Sequence, residues 1–121
     1  MIQRQTKLNV SDNTGSKTLM CIGIIGQNKK IAQIGDIIVC VVKSSLPNMS
    51  IKKSNIVKAV IIRTKKGIKR SDGSIIRFNE NSAVLINADR NPIGTRIFGP
   101  VPKEIRSKKF IKIASLASDI V

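Results

Sequence analysis

Polar and apolar residues alternate through Thr6-Lys7-Leu8-Asn9-Val10, the period of a half-buried strand. Asp12-Asn13-Thr14-Gly15 turns the chain. A second strand is predicted over 18–25, interrupted at Gly23 and ended by Gly26, with Gln27-Asn28-Lys29-Lys30 a basic loop. Ile37-Ile38-Val39-Cys40-Val41-Val42 carries no polar interruption, so both of its faces are expected to be covered. A small closed barrel with a flanking segment outside it is one way to achieve that. A loop over 44–50 then leads to a strand over 55–63, centred on Ala59-Val60-Ile61-Ile62.

Ser71-Asp72-Gly73-Ser74 is the clearest hairpin signal. It separates two arms, 64–70 and 75–78, that form a two-stranded ribbon. Asn79-Glu80-Asn81 turns into a strand over 83–86, and Asp89-Arg90-Asn91-Pro92 is a loop. Gly94 and Gly99-Pro100 punctuate the next segment and shape a bend. After Pro102 the character changes, because proline is a common helix start. Phe110, Ile113, Ala114 and Ala117 recur at helical spacing, so one or two short helices are expected over about 103–118. No repeat, linker or low-complexity tract divides the chain, which reads as one domain over 1–121.

Composition strengthens the β reading. The 121 residues hold 22 Ile and 9 Val against 5 Leu, and β-branched side chains suit pleated sheets. The expected fold class is mainly β. A hydrophobic fraction of 41% supports a packed core. Cys21 and Cys40 are too few for a disulfide-built secreted scaffold and read as two buried thiols in a reducing compartment. No leader segment is visible, and the longest apolar run, 37–42, falls far short of the roughly 20 residues that span a membrane. No membrane association is expected.

Charge points to a partner. Lys and Arg number 22 and Asp and Glu 7, a net +15. Such an excess suits a polyanion, nucleic acid before an anionic membrane surface. No acid lies between Asp36 and Asp72, a stretch holding Lys43, Lys52, Lys53, Lys58, Arg63, Lys65, Lys66, Lys69 and Arg70. Solvated surfaces ordinarily mix signs, so an acid-free ribbon favours phosphate binding. The pairs Lys29-Lys30 and Lys108-Lys109 read equally well as surface charge or phosphate contacts. With only three Phe and no Trp or Tyr, base stacking on a single strand is disfavoured. Folded RNA recognised by shape and backbone fits better.

Catalysis finds no footing. There is no His, the commonest general base and a frequent metal ligand. No phosphate-cradling glycine loop is present. Asp12, Asp36 and Asp72 each adjoin a turn or a glycine, where a carboxylate caps backbone N–H groups. No enzyme activity, metal or cofactor is expected. Arg96, beside Gly94, would meet either a phosphate or a carboxylate such as Glu104.

The motifs carry a resemblance. Ala59-Val60-Ile61-Ile62, followed at fixed spacing by Asp72-Gly73, Phe78, Asn81 and Val84-Leu85, is similar to the signature of the large-subunit ribosomal protein L fourteen family, universal uL fourteen, of bacterial or organellar type. Met1-Ile2-Gln3, Leu8-Asn9-Val10-Ser11-Asp12-Asn13, Met20-Cys21-Ile22, Gly35-Asp36-Ile37-Ile38 and Arg63-Thr64-Lys65-Lys66 also resemble that family. Gly94-Thr95-Arg96-Ile97-Phe98-Gly99-Pro100-Val101 and Lys112-Ile113-Ala114-Ser115-Leu116-Ala117 extend the match nearly end to end. Departures are Ser54 where the family often has Gly, Ser118 where it often has Pro, Pro102 at a usual small residue, and Gly23 where a longer, often basic residue is frequent.

The resemblance implies a five-stranded β-barrel with a basic ribbon and short C-terminal helices, bound to large-subunit ribosomal RNA. It implies a rRNA-binding set of Lys17, Lys29, Lys30, Lys52, Lys53, Arg63, Lys65, Lys66, Lys69 and Arg70. It also implies a second face, made by Thr95, Arg96, Lys103, Arg106, Lys108 and Lys109, that meets small-subunit ribosomal RNA in intersubunit bridges. Large-subunit ribosomal proteins nineteen and three would be its neighbours, and a ribosome silencing factor would dock on the same interface. Pro47-Asn48-Met49 and Asn55-Ile56-Val57 are similar to plastid-type members. With the AT-rich usage of Ile, Lys and Asn, this suggests an organelle-encoded chain, plastid before mitochondrion, with a bacterial cytoplasm as the alternative.

Overall fold

Alternation along β1 (Lys7–Val10) buries Leu8 and exposes Lys7 and Asn9. The chain continues through β2 (Ser16–Ile24), β3 (Ile37–Ser45), β4 (Ile56–Arg63), the two-residue strands β5 (Ile68–Lys69) and β6 (Ile75–Ile76), and β7 (Ser82–Ile86). The computed structural model describes residues 2–26, 30–46, 53–107 and 110–121. Cross-strand register pairs Leu8 with Leu19, Leu19 with Val42, Cys21 with Cys40, Ile38 with Ala59, Ala59 with Leu85 and Ile61 with Ala83. Residues directly opposite one another share a face of the sheet. These side chains therefore fill one interior, and all of them are buried.

The sheet closes on itself in the order β1-β2-β3-β4-β7. The closing seam is parallel and short, with Asn9 opposite Ser82 and Val10 opposite Ala83. The Asn9 N–H donates to the Asn81 carbonyl at 2.9 Å and the Ser11 N–H to that of Ala83 at 3.1 Å. Closure removes the open edges that would otherwise invite pairing with other chains.

Full cover on both faces falls on β4 and β7 rather than on β3. Every residue from Ala59 to Thr64 and from Ser82 to Ile86 is buried. Ile2, Ala32, Ile34, Ile105, Phe110 and Ile113 belong to the same packed cluster, so the outward residues Val60, Ile62, Val84 and Ile86 are also enclosed. In β3 the burial alternates, with Ile38, Cys40 and Val42 inside and Ile37, Val39 and Val41 half-buried. The apolar run 37–42 is thus covered fully on one face only, contrary to expectation.

The carboxy-terminal quarter departs further. β8 (Ile97–Val101) runs through the Gly99-Pro100 pair read as a bend, and the final residues form β9 (Ala117–Ile120), parallel to it. Between them lie α1 (Glu104–Ser107) and α2 (Ile111–Leu116), so the helical part ends before 118. Gly99 takes φ +81° and the register shifts between Ile97 and Pro100, a bulge that lets proline, with no N–H to give, sit in a strand. β8 meets the barrel through the Phe98 N–H on the Ser11 carbonyl, 2.7 Å. Among the described residues no helix is long and apolar enough to cross a membrane.

Candidate RNA-binding surface

Arg63 ends β4 and turns inward instead of joining the ribbon. It is 5% exposed. Its Nη1 donates to the carbonyls of Phe98, 3.0 Å, and Pro100, 2.9 Å. Its Nη2 donates to Ser11 Oγ, to Glu80 Oε1 at 3.1 Å and to Ser82 Oγ at 3.2 Å. The guanidinium thus fastens β8 to the barrel, and both of its terminal nitrogens are engaged within the protein. The expectation that Arg63 binds RNA is corrected: a buried cation survives only where paired and hydrogen-bonded, and this one is.

Glu80, its counter-charge, also accepts from Asn9 Nδ2 at 2.8 Å and from Ser82 Oγ at 3.0 Å. The Asn9 bond first, then those of Ser82 and Arg63, hold the Glu80 carboxyl below the usual carboxylate range.

Arg70 is also engaged. Nε and Nη2 grip Glu104 in a two-point pair, 2.9 and 3.0 Å, and Nη2 reaches the Val121 carbonyl. The pair keeps the Glu104 carboxyl below its ordinary range. It ties the tip of the ribbon to α1 and the chain's last residues. Arg70, expected among the RNA contacts, is half-buried and forms a bracket between ribbon and C-terminal segment. Of the two alternatives for Arg96, the carboxylate of Glu104 is taken up by Arg70. The Arg96 guanidinium instead lies over the Phe98 ring, 5.9 Å from its centroid.

With Arg63 and Arg70 engaged, the ribbon's outward cations are Lys65, Lys66 and Lys69, all exposed. Arg77 joins them. The Phe78 N–H donates to the Thr64 carbonyl, which aligns the two arms and sets Arg77 across from the lysines. At Gly67, with φ +77°, a Cβ would lie 1.9 Å from the Ile76 carbonyl oxygen. Only glycine permits so close a crossing of the arms. At the tip, Asp72 Oδ1 accepts from the Ser74 N–H at 2.9 Å and Oγ at 2.6 Å, so the one acid there caps its own turn. Those two bonds, before any charge effect, hold its carboxyl below the usual range. Asp12 also caps backbone, accepting from Thr14 and from the Leu85 N–H at 3.0 Å, and Asp36 accepts from the Gln33 N–H at 2.8 Å.

Arg77 was missed because it follows Asp72 and so falls outside the acid-free count. Its signal was its place in the arm facing Lys65-Lys66.

The other expected residues are dispersed. Lys17 is exposed on β2, and Lys30 and Lys53 are exposed in loops. Lys29, Lys52, Lys108 and Lys109 lie outside the described residues. Thr95 and Arg96 occupy a bend pinned by Asn13: Asn13 Oδ1 accepts from both backbone N–H groups, 2.8 and 3.2 Å, and its Nδ2 donates to Thr95 Oγ1 at 2.8 Å. Lys103 and Arg106 are exposed at and beside α1. Among the described residues no group of three or more Cys, Asp or Glu could hold a metal ion.

A closed barrel with a basic ribbon, and with five of its seven acids turned to internal caps and brackets, is the build of a small structural RNA-binding protein. The family model for ribosomal protein L14p/L23e matches residues 1–121, and the chain belongs to that family. It is a structural constituent of the large ribosomal subunit and binds its ribosomal RNA.

Proposed function

We propose that Lys65, Lys66, Lys69 and Arg77 are the grip on large-subunit ribosomal RNA, with Lys17, Lys29, Lys30, Lys52 and Lys53 as further phosphate contacts. The observation that carries this is the division of labour within the ribbon. Arg63 and Arg70 are spent on internal partners, while the three lysines and Arg77 face outward. Mobile counterions on the RNA are replaced by these side chains, and the barrel fixes where they stand.

On the same reading, Thr95, Arg96, Lys103, Arg106, Lys108 and Lys109 form a second face toward small-subunit ribosomal RNA. Large-subunit ribosomal proteins nineteen and three lie beside it, and a ribosome silencing factor competes for it. The Asn13-pinned bend supports this, since it presents Arg96 from a fixed backbone. Plastid-like Asn55-Ile56-Val57 supports an organelle-encoded member, a bacterial cytoplasm being the alternative. Replacing Arg96 and Arg106 together by Gln tests the two faces. Large subunits should still incorporate the protein, while joining to small subunits weakens. Equal loss of incorporation and joining would refute the division.

A further inference from the structure

Cys21 and Cys40 are cross-strand partners in β2 and β3, and both are fully buried and free. The hydrogen-bond pattern defines their geometry. The Cys21 N–H donates to Thr6 and its carbonyl accepts from Gln5, so both backbone groups point toward β1 and away from β3. On β3, Val42 directs its N–H and carbonyl toward Asn55 and Ser54 on the β4 side, and Cys40, two residues earlier, shares that orientation. Cys21 and Cys40 therefore form a non-hydrogen-bonded pair, the arrangement in which opposed side chains come closest, with Cα atoms about 4.5 Å apart. That separation lies within the range a disulfide accepts.

The two thiols are not equivalent. Burial, with Cys21 beside it, pushes Cys40 up to about 12. Cys21 is also raised by burial, but its bond to the Gly23 carbonyl, 3.5 Å, and the charge of Arg4 act the other way. An open space lies beside Gly23, the residue whose carbonyl that thiol contacts. Gln3, Arg4, Gly23, Ile24 and Lys30 line an open cavity of about 550 Å³. At Gly23 a Cβ would meet nothing within 4 Å, so the space beside that residue is open.

We propose that Cys21 and Cys40 are an oxidation site at which a peroxide closes a disulfide between β2 and β3. The Cys21 thiolate attacks a peroxide oxygen, the O–O bond breaks, and water leaves after protonation, giving a sulfenic acid. Cys40 sulfur then attacks the Cys21 sulfur, the S–O bond breaks and a second water departs, carrying the Cys40 proton. The net change is two thiols and one hydrogen peroxide to one disulfide and two waters. Burial keeps the reaction slow while the barrel is closed. The bond staples two strands of the barrel and leaves the ribbon untouched, so this site stands or falls independently of the RNA reading.

The test is to treat the full chain with hydrogen peroxide, alkylate in denaturant, digest, and map by mass spectrometry. The expected product is a monomer lighter by two hydrogen atoms, with Cys21 joined to Cys40, both alkylatable thiols lost, and both restored by dithiothreitol. In Cys40→Ala the reaction should stop at a dimedone-trapped sulfenic acid on Cys21. Overturning results are sulfinic or sulfonic acid with no cross-link, a cross-link only between molecules, or two thiols still alkylatable. The unsubstituted chain decides the matter even if the variant fails to fold.

Discussion

Gly99 and Arg63 admit nothing larger than hydrogen between them: a Cβ on Gly99 would stand 2.6 Å from Nη1 of Arg63. Gly99 also holds φ +81°, a region L side chains rarely adopt. Gly99→Ala should therefore destabilise the protein by about 1–3 kcal/mol and lower the thermal midpoint by roughly 4 °C or more. Circular-dichroism melting checks this, and an unchanged midpoint would mean the guanidinium yields freely.

Arg63→Gln leaves Glu80 and the carbonyls of Phe98 and Pro100 short of donors. Glu80 is half in solvent, so the loss belongs at the low end for a broken buried pair, about 3 kcal/mol. Urea unfolding should show it as an earlier midpoint. RNA affinity of the fraction still folded should change little, because this cation does not face outward.

The lysines should behave in the opposite way. Replacing Lys65, Lys66 and Lys69 together by Gln should leave the urea midpoint within about 0.5 kcal/mol of the parent, as exposed substitutions usually do. Binding to ribosomal RNA should fall sharply. For the unaltered chain the log–log salt slope is expected at about −4 to −8, for roughly 5–9 neutralised phosphates. The triple variant should flatten it by about 2 to 3. A slope that does not move would place the RNA grip elsewhere.

Acid should loosen the C-terminal bracket. Glu80 and Glu104 both have carboxyls held below the ordinary glutamate range, by Asn9 and by Arg70 respectively before other causes. A carboxyl depressed in the folded state adds stability that is fully present above its unfolded value and is lost as pH falls through its folded value. The midpoint should thus be flat near neutrality and drop below about pH 4.5. Glu80→Gln with Glu104→Gln should start lower and fall less steeply. Parallel curves for parent and variant would rule out these two groups as the acid-sensitive pairs.

The barrel strands were readable because each writes its own period: Leu8 and Val10 alternate, and Ala59-Val60-Ile61-Ile62 runs unbroken under two layers. Arg63 was misread because Lys65-Lys66 follow it. Yet it continues the buried run of β4, and that continuity was the available signal of an inward guanidinium. β8 and β9 were hidden for another reason. Gly99-Pro100 spells a bend by local chemistry, and contacts from remote segments, with Arg63, Ser11 and β9, hold it extended. Glu104 as the partner of Arg70 was invisible for the same cause, a pairing made by tertiary packing 34 residues away. What a residue does alone was legible, and what it does for a remote partner was not.

The Arg63 socket also imposes an order in time. A chain made from its amino end presents Arg63 35 residues before Phe98, whose carbonyl it holds, and Arg70 34 residues before Glu104. During that interval Arg63 has Ser11, Glu80 and Ser82 to meet but not its β8 carbonyls, and Arg70, with no Glu104 yet to grip, stands bare beside Lys65, Lys66 and Lys69. The half-made protein is therefore stickier toward RNA than the finished one. Synthesis of the last quarter of the chain withdraws the Arg70 charge from that contest.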